Sequence, residues 1–298
     1  MSLPSNSAPH APILTAGSHT LHFDSRPLIM GVLNVTPDSF SDGGAYATKQ
    51  QAVQRAKDMH AEGADVIDIG AESSRPGSHS VGEAEELRRL LPVLEEVRAA
   101  VPIPISVDTT KAAVARQAIQ RGASIINDIS ALGHDPDMAA LIADSGAGIV
   151  LMHMQGTPET MQRNPTYRDV SAEVSAFLQQ RAAYAVTQGI KPTQIMLDPG
   201  IGFGKLGEHN LQLLAELDML TTLGYPILVG VSRKEFIGRL VNQPVHERVY
   251  GTAGAVAAAI LKGVHMIRVH DVRAMREVAL VAAAIAKRSL SYSQVSHA

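Results

Sequence analysis

The stretch "LIMGVLNVTPDSFSDGG" (28–44) contains, in one short segment, the pattern that decides the fold. Mostly apolar residues occupy 28–33, and Asn34 ends the run. A short apolar run without strict alternation is typical of a strand buried on both faces, as in parallel sheets. The hydroxyl, carboxylate and glycine residues that follow predict a loop at the carboxyl end of this strand. Such a loop could be a simple turn, or it could carry chemistry.

Seven further runs of this kind follow along the chain, and each predicts a buried strand. They are "DVIDIG" (65–70), "IPISV" (103–107), "ASIIN" (123–127), "GIVLMH" (148–153), "QIMLD" (194–198), "PILVGV" (226–231) and "HMIRV" (265–269). Segments of helical length separate the runs. They are 48–63, 82–101, 111–121, 136–145, 169–188, 208–223, 233–241, 251–262 and 272–288. Thr48 with Gln51, and Ser232 with Glu235, have the three-residue spacing of a capping box at a helix start.

Eight strands alternating with helices over 298 residues predict a (β/α)8 TIM barrel, in the α/β class. A doubly wound sheet is less consistent with the chain, because no composition shift or linker divides it. We therefore expect a single domain over 1–298, with loose tails at 1–12 and 289–298. The segment "ILTAGSHTLHF" (13–23) predicts an N-terminal β-hairpin that turns at Gly17-Ser18 and covers the bottom of the barrel.

The composition narrows the classes of function. A formal net charge of −3 supplies no basic excess for a general nucleic-acid binder. The chain has no cysteine, which excludes disulfides, thiolate metal sites and Cys nucleophiles and fits a cytoplasmic protein. No signal-peptide pattern is present at the N-terminus, and the longest apolar stretches are too short to cross a bilayer, so no membrane partner is expected.

Polar residues follow nearly every predicted strand. A lone Asp or Ser after a strand is most often a helix cap. Eight such positions at one barrel mouth are better explained as a binding site, because TIM-barrel active sites lie at the carboxyl ends of the strands. The positions are Asn34, Glu72 with Ser73 and Ser74, Asp108, Asn127 with Asp128, His153, Asp198, Ser232, and Arg268 with His270.

The polar residues form two groups that suit different parts of a ligand. Arg75, Arg233, Lys234, Arg268 and His270 supply cationic or donor groups that suit a phosphorylated ligand. Carboxylates and an amide suit a flat heterocycle, whose adjacent N–H and NH2 groups can be held by paired acceptors. They are Asp108, Asn127 and Asp198. Together the two groups predict a ligand that is a heterocycle carrying a phosphate ester.

Seven motifs in this order resemble those of the dihydropteroate synthase family, and they span residues 28–272. They are "MGVLNVTPDSFSDGG" (30–44), "DIGAESSRPGS" (68–78), "SVDTTK" (106–111), "INDIS" (126–130), "DPGIGFGK" (198–205), "GVSRKEFIG" (230–238) and "RVHDV" (268–272). The resemblance implies a transferase of folate biosynthesis. Its members condense 6-hydroxymethyl-7,8-dihydropterin pyrophosphate with p-aminobenzoate, giving 7,8-dihydropteroate and pyrophosphate. It also implies Mg2+ as cofactor, a homodimer, and competition by sulfonamides.

The resemblance assigns a role to each matching residue. Asn34 is expected to hold Mg2+ together with pyrophosphate oxygens and water, since Mg2+ commonly has few protein ligands. Lys234 is expected to reach the O4/N5 side of the pterin, and Arg268 and His270 to stabilise the departing pyrophosphate; these three form the catalytic set. Asp108, Asn127 and Asp198 are expected to bind the pterin ring. Ser74 and Arg75 are expected to help bind the pyrophosphate.

Other motifs supply the residues that are expected to bind p-aminobenzoate. Its carboxylate is expected at Ser232, beside Arg233 and the helix start, with Gly230 in the same binding set. The "GIGFGK" loop (200–205) lacks the spacing and hydroxyl of a Walker A loop. Phe203 and Pro37 are expected to sandwich the aminobenzoate ring. Thr36, Pro37 and the neighbouring Asp38 and Ser39 are expected to close over this substrate once pyrophosphate is bound.

Two alternatives remain open at this stage. A pterin-binding barrel that transfers a methyl group from methyltetrahydrofolate shares the fold and the pterin carboxylates, but has no need for the phosphate-side motifs. A catalytically inactive pterin-binding module predicts damaged phosphate-side residues, whereas Asn34, Arg75, Arg268 and His270 are all present.

Overall fold

The part of the chain that the structure describes folds into an eight-stranded parallel barrel with a short hairpin at its base. The structure is a computed structural model, and it describes residues 12–36 and 44–288. The ten strands in these ranges are β1 (Ile13–Ala16), β2 (His19–His22), β3 (Leu28–Asn34), β4 (Val66–Gly70), β5 (Ile105–Asp108), β6 (Ile125–Asp128), β7 (Gly148–Met152), β8 (Ile195–Asp198), β9 (Leu228–Val229) and β10 (Met266–Val269). The predicted TIM barrel is confirmed.

Helices follow the barrel strands as predicted, with one division. They are α1 (Gly44–Glu62), α2 (Glu83–Ala100), α3 (Ala112–Gln120), α4 (Met138–Ser145), α5 (Val170–Thr187), α6 (Gly207–Ala215), α7 (Asp218–Thr221), α8 (Glu235–Val241), α9 (Val249–Leu261) and α10 (Val272–Lys287). The predicted helix 208–223 is two helices. The predicted capping box at Thr48 is wrong, because α1 already begins at Gly44.

The barrel strands pair in the order β8-β7-β6-β5-β4-β3-β10-β9. A parallel bridge between Leu197 and Ile227 joins the two ends of this sheet and closes the barrel. No helix in the described residues is long and apolar enough to cross a membrane. Residues 1–11 and 289–298 of the predicted tails, and Pro37, Asp38 and Ser39, lie outside the described residues.

The hairpin forms as predicted, with antiparallel pairing of β1 and β2 around Gly17-Ser18. Leu14 and Ala16 are fully buried among the inward-facing residues at the base of the barrel. The N–H of Gly17 donates to the carbonyl of Gly146, 2.9 Å away, which fixes the hairpin to the entry of β7. The hairpin therefore covers the bottom of the barrel, and the opposite end is left for ligands.

On several strands, the inward-facing side chains change from apolar to polar over two residues. Inward-facing apolar residues form one cluster at the base: Leu28, Met30, Val66, Ile125, Val150, Met196, Leu228 and Met266. Because successive side chains alternate between faces, the residue two positions later on each strand also faces inward. On four strands that residue is polar: Asp68, Asn127, Asp198 and Arg268. The same alternation that builds the core thus places the polar groups above it.

Candidate active site

Arg268 lies at the centre of a buried charge cluster just above the apolar base. Its Nε donates to Oδ2 of Asp68 at 2.6 Å, and its NH2 group donates to Oδ2 of Asp108 at 3.3 Å. Asn127 also donates through Nδ2 to Oδ2 of Asp68, at 3.2 Å. Burial raises the pKa of Asp108; the positive charge of Arg268 opposes that rise, and the negative charge of Asp68 adds to it. The pairing leaves other N–H groups of the Arg268 guanidinium available for a ligand.

Asp68 is a site residue that the sequence reasoning missed. It is fully buried in the middle of β4 and was included in an apolar strand without a role of its own. A charged residue inside an otherwise apolar strand is rarely buried without a partner, and this could have identified it. Its second oxygen, Oδ1, and the amide oxygen of Asn127 are buried and accept no hydrogen bond within the described residues. Both atoms could accept hydrogen bonds from a ligand rich in N–H groups.

Asp198 ends β8 and begins a tight loop beside the cluster. Its Oδ1 accepts the N–H of Gly200 at 2.7 Å, and its residue is buried. Burial raises the pKa of Asp198, while the hydrogen bond from Gly200 opposes that rise. Gly200 has φ +66°, and a methyl group placed on it would lie 1.9 Å from the carbonyl oxygen of His153. Only glycine therefore fits this position.

The buried side chain of Lys205 holds the loop that follows Asp198. Nζ of Lys205 lies 2.9 Å from Nδ1 of His153 and donates to the carbonyl oxygens of Gly200 and Phe203, both at 3.0 Å. Three acceptors use all three hydrogens of an ammonium group. Burial lowers the pKa of Lys205 to about 7 and that of His153 to about 3. The sequence predicts no role for Lys205, although it ends the "DPGIGFGK" motif, because its partners are backbone carbonyl groups that a sequence does not reveal.

Lys234 and Phe203 meet across the mouth. Nζ of Lys234 lies 4.2 Å from the centroid of the Phe203 ring, which is a cation–π distance. A methyl group on Gly202 would lie 3.1 Å from Cδ of Lys234, so the loop approaches the lysine stem closely. Burial lowers the pKa of Lys234 to about 8, and the positive charge of Arg268 adds to that effect. Lys234 is thus a cation that lies between the charge cluster and an aromatic wall.

The capping box predicted for Ser232 and Glu235 is wrong. Helix α8 begins at Glu235 with Lys234 as its N-cap residue, and no side chain caps it. Ser232 instead bonds His270: its Oγ accepts the backbone N–H at 3.2 Å and lies 3.0 Å from Nδ1. A hydroxyl both donates and accepts, so the contact between the Ser232 hydroxyl and Nδ1 fits either tautomer of the ring. Burial, and after it the positive charge of Arg268, lowers the pKa of His270 to about 3, so the ring is neutral.

Arg233 is held differently from its neighbours. Its φ is +60°, in the left-handed region, and its guanidinium pairs with Asp271 through two hydrogen bonds of 3.1 and 2.6 Å. Asp271 follows His270 directly, so this ion pair joins the loop after β9 to the loop after β10. The Arg233 guanidinium, which is expected beside a substrate carboxylate at Ser232, is already paired with the carboxylate of Asp271. Gly230 faces inward near the Cβ atom of Arg268, 3.9 Å from the position that its own Cβ would take.

Asn34 stands at the end of β3, next to the charge cluster. A methyl group on Gly70 would lie 3.5 Å from Oδ1 of Asn34 and 3.8 Å from Oδ2 of Asp108, so the two side chains border the same space. Within residues 12–36 and 44–288, no group of three or more His, Asp or Glu side chains is arranged to hold a metal ion. A single amide oxygen fits Mg2+ only if most of the other ligands come from substrate and water. Thr36 follows on the same strand exit and is half-buried.

Ser74 and Arg75 lie on the loop after β4. This loop is folded on itself, because the Ser78 hydroxyl donates to the carbonyl oxygens of Ser73 and Arg75 at 2.6 and 2.7 Å. Ser74 and Asp108 both line a cavity of about 490 Å³ that lies between the loops after β4, β5, β6 and β7. Arg75 is exposed at the rim. The loop therefore carries a hydroxyl and a cation to the edge of the barrel mouth.

Comparison with known proteins places the chain among enzymes of this architecture. The family model described as pterin binding enzyme matches residues 30–270. A dihydropteroate synthase of Synechocystis sp. is 46% identical over 275 residues, covering 92% of this chain and 95% of that protein. The Yersinia pestis dihydropteroate synthase structure with a sulfonamide drug complex has a TM-score of 0.87 at 44% identity, covering 92% of this chain and 99% of that one. The Xanthomonas albilineans enzyme with 7,8-dihydropteroate has a TM-score of 0.83 at 41% identity, covering 92% and 98%.

Proposed function

The chain belongs to the pterin binding enzyme family and, within it, to the dihydropteroate synthases, and from this premise we propose how its residues act on the two substrates. The observation that carries the proposal is the arrangement at the barrel mouth. Buried acceptors on Asp68, Asn127 and Asp198 lie beside the cations of Arg268 and Lys234. A pterin offers N–H donors to the acceptors, and its pyrophosphate offers negative charge to the cations. The methyltransferase alternative uses only the first half of this arrangement.

Asp198, Asn127 and Asp108 are proposed to bind the pterin ring nitrogens and the amino group. The orphaned amide oxygen of Asn127 supports this, because a buried acceptor without a donor costs free energy until a ligand supplies one. Oδ1 of Asp198 is already held by the Gly200 N–H, which orients the carboxylate before substrate arrives. Lys234 is proposed to donate to the O4/N5 side of the ring from its position over Phe203.

Arg268, His270, Ser74 and Arg75 are proposed to bind the pyrophosphate. Arg268 is fixed by two carboxylates, so its remaining N–H groups point in a set direction. His270 is neutral, and its Nε2–H tautomer would donate to a phosphate oxygen without adding charge. Mg2+ bound through Asn34 would neutralise charge on the pyrophosphate. No protein nucleophile is needed for this reaction.

The chemical step is proposed to be dissociative. The bond from the pterin methylene carbon to the pyrophosphate oxygen breaks, and its electron pair leaves with the pyrophosphate. The dihydropterin ring stabilises the methylene cation by resonance, the amine lone pair of p-aminobenzoate then forms the new C–N bond, and the amine loses a proton. Removing one preorganised hydrogen-bond donor from an active site typically costs about 2.7–4 kcal/mol of barrier, and Arg268 is proposed to act as such a donor. Orientation of the amine supplies a further part of the rate.

Substrate omission tests this function directly. Pyrophosphate release is measured with both substrates, then with p-aminobenzoate or the dihydropterin pyrophosphate left out. Release that requires both substrates supports the synthase reaction. Release that ignores p-aminobenzoate, or no release with both present, contradicts it.

We also propose that the chain acts as a homodimer through an apolar groove on α6, α8 and α9. The groove has a volume of about 550 Å³, and its lining includes Gly251, Gly254, Ala255 and Ala258. On its rim, Leu240 is 64% exposed and Leu261 is 51% exposed. A second copy is the proposed occupant, because small residues allow two helices to approach closely and a self-complementary patch closes a two-fold dimer. Sedimentation of Leu240→Glu is expected to show a monomer, and an unchanged dimer would refute this interface.

The cytoplasmic location stays a prediction.

A further inference from the structure

Lys111, from the "SVDTTK" motif, has no role in the mechanism above, although it is buried beside the site. It is the N-cap residue of α3, three residues after Asp108, and only 9% of it is exposed. Its ammonium group bonds the carboxylate of Glu72 and, at 2.6 Å, Oε2 of Glu86. These three side chains join the loop after β4, helix α2 and the start of α3. We call them the Lys111 cluster.

The charge in the Lys111 cluster is unusual for a purely structural contact. Two carboxylates share one ammonium group, and Glu86 is 1% exposed. Burial raises the pKa of Glu86, and the hydrogen bond from Lys111 opposes that rise. A buried ion pair of this type contributes little net stability compared with apolar packing, so its presence calls for another explanation, such as fixing one conformation.

The loop that the Lys111 cluster fixes is the one that carries Ser74 and Arg75. Glu72 lies two residues before Ser74, and the neighbouring carbonyl of Ala71 accepts a hydrogen bond from Arg89 of α2 at 3.3 Å. Further along the loop, the N–H of Gly77 donates to the carbonyl of Pro158 at 2.9 Å. The start of the loop is thus held by charged side chains of α2 and α3, and its tip by the loop after β7.

We propose that Lys111 is a positioning residue for pyrophosphate binding. Through Glu72 it sets where Ser74 and Arg75 stand relative to Asp108, and so how the pyrophosphate and pterin halves of one substrate are bound together. This rests on the proposed function, since it takes Ser74 and Arg75 as pyrophosphate ligands. A residue that only supports the fold would affect both halves of the substrate equally.

Two ligands separate these possibilities: 6-hydroxymethyl-7,8-dihydropterin pyrophosphate and the same dihydropterin alcohol without pyrophosphate. For Lys111→Met we expect the Kd of the pyrophosphate ester to rise about tenfold, equivalent to one charge-assisted hydrogen bond, and the Kd of the alcohol to stay within about twofold. Lys111→Arg should restore most of the difference. Arg121→Met is the matched control, because Arg121, which directly follows α3, also pairs with a glutamate of α2, Glu95 at 2.9 Å, but on the surface. It should bind both ligands as the wild type does.

Hydrogen–deuterium exchange of residues 72–80 without ligand gives a readout that does not depend on the reaction. Uptake should rise in Lys111→Met and stay at the wild-type level in Arg121→Met. If Lys111→Met does not fold, the double variant Lys111→Met with Glu86→Leu removes the unpaired buried carboxylate and should show the same two effects. Equal losses for both ligands, or unchanged uptake in 72–80, would overturn the proposal. If the wild type itself binds the ester and the alcohol equally, the proposed pyrophosphate role fails, and the exchange result alone decides whether Lys111 positions the loop.

Discussion

Asp68→Asn is the substitution that most sharply probes the charge cluster. Asp68 is fully buried and accepts from Arg268 Nε at 2.6 Å and from Asn127 Nδ2 at 3.2 Å. The amide keeps the size and one acceptor oxygen, but it removes the charge that faces Arg268. It also places an NH2 group among side chains that already donate. The variant therefore isolates electrostatics from packing.

The expected magnitude follows from these contacts. A hydrogen bond to a charged group is worth about 1.5–3 kcal/mol, and breaking a buried ion pair outright costs about 3–5 kcal/mol. Arg268 keeps Asp108 at 3.3 Å, so the lower range applies. We expect Asp68→Asn to lose about 1.5–3 kcal/mol of unfolding free energy. Because the guanidinium loses its main anchor, kcat/KM should fall on the order of 10–100-fold, a part of what one oriented charge supplies.

Urea unfolding followed by far-UV circular dichroism measures the stability, since the chain has no tryptophan for fluorescence. Pyrophosphate release at limiting dihydropterin pyrophosphate measures kcat/KM. Asp65→Asn is the matched control. Asp65 stands just before β4, at the opposite end of the barrel, and pairs with Arg26 through two hydrogen bonds of 2.8 and 2.6 Å. It should lose stability and keep kcat/KM. If Asp68→Asn matches the wild type in both measurements, or if Asp65→Asn loses as much activity, the reasoning is refuted.

Three further predictions follow from single contacts. The pKa of Lys234 is lowered to about 8, so its charge is present below that pH and lost above it. We therefore expect kcat/KM for the dihydropterin pyrophosphate to fall as the pH rises through about 8. Lys234→Arg should remove that alkaline limb from the pH profile, and an unchanged limb would assign it to another group. Gly200→Ala places a methyl group 1.9 Å from the His153 carbonyl oxygen and should cost at least about 2 kcal/mol of stability. Gly207→Ala, whose added methyl group has nothing within 4 Å, should stay within about 1 kcal/mol of the wild type. Equal urea midpoints for the two variants would contradict this. Lys205→Met removes the ammonium donor from the carbonyl oxygen of Phe203 and from that of Gly200, which keeps the N–H of Phe203 at 3.0 Å, and should lower stability by about 1–3 kcal/mol. The exposed Lys262→Met should change stability by less than about 1 kcal/mol.

The barrel could be predicted from sequence because its signal is local and repeated. Each buried strand appears as an apolar run, and each is followed by a polar residue at the same end. Strand periodicity then fixes which residues face inward, so Asp198 two residues after Met196 must lie above the base. The hairpin could be predicted for the same reason, since Gly17-Ser18 separates two short strands.

The capping predictions failed where a distant partner competes with a local one. Ser232 and Glu235 have suitable spacing, but the Ser232 hydroxyl bonds His270, which is 38 residues away in sequence. No local pattern reveals that choice. The start of α1 was also set four residues too late, because Thr48 resembled a cap although the helix continues back to Gly44.

Most of the candidate site came from motif residues, and the missed residues are their supports. Asp68, Lys205 and Lys111 each make their contacts with groups brought near by the barrel, across strands or to backbone carbonyls. Their partners depend on tertiary structure. A buried charge inside a strand, or a lysine inside a glycine-rich motif, signals that such a partner exists but does not say which.

The stoichiometry of one complete reaction tests the central claim most directly. Pyrophosphate and 7,8-dihydropteroate are quantified in the same sample after p-aminobenzoate and the dihydropterin pyrophosphate are mixed with the protein. The account predicts equal amounts of both products, with both reduced in Arg268→Ala. Pyrophosphate formed without a matching amount of dihydropteroate would contradict it.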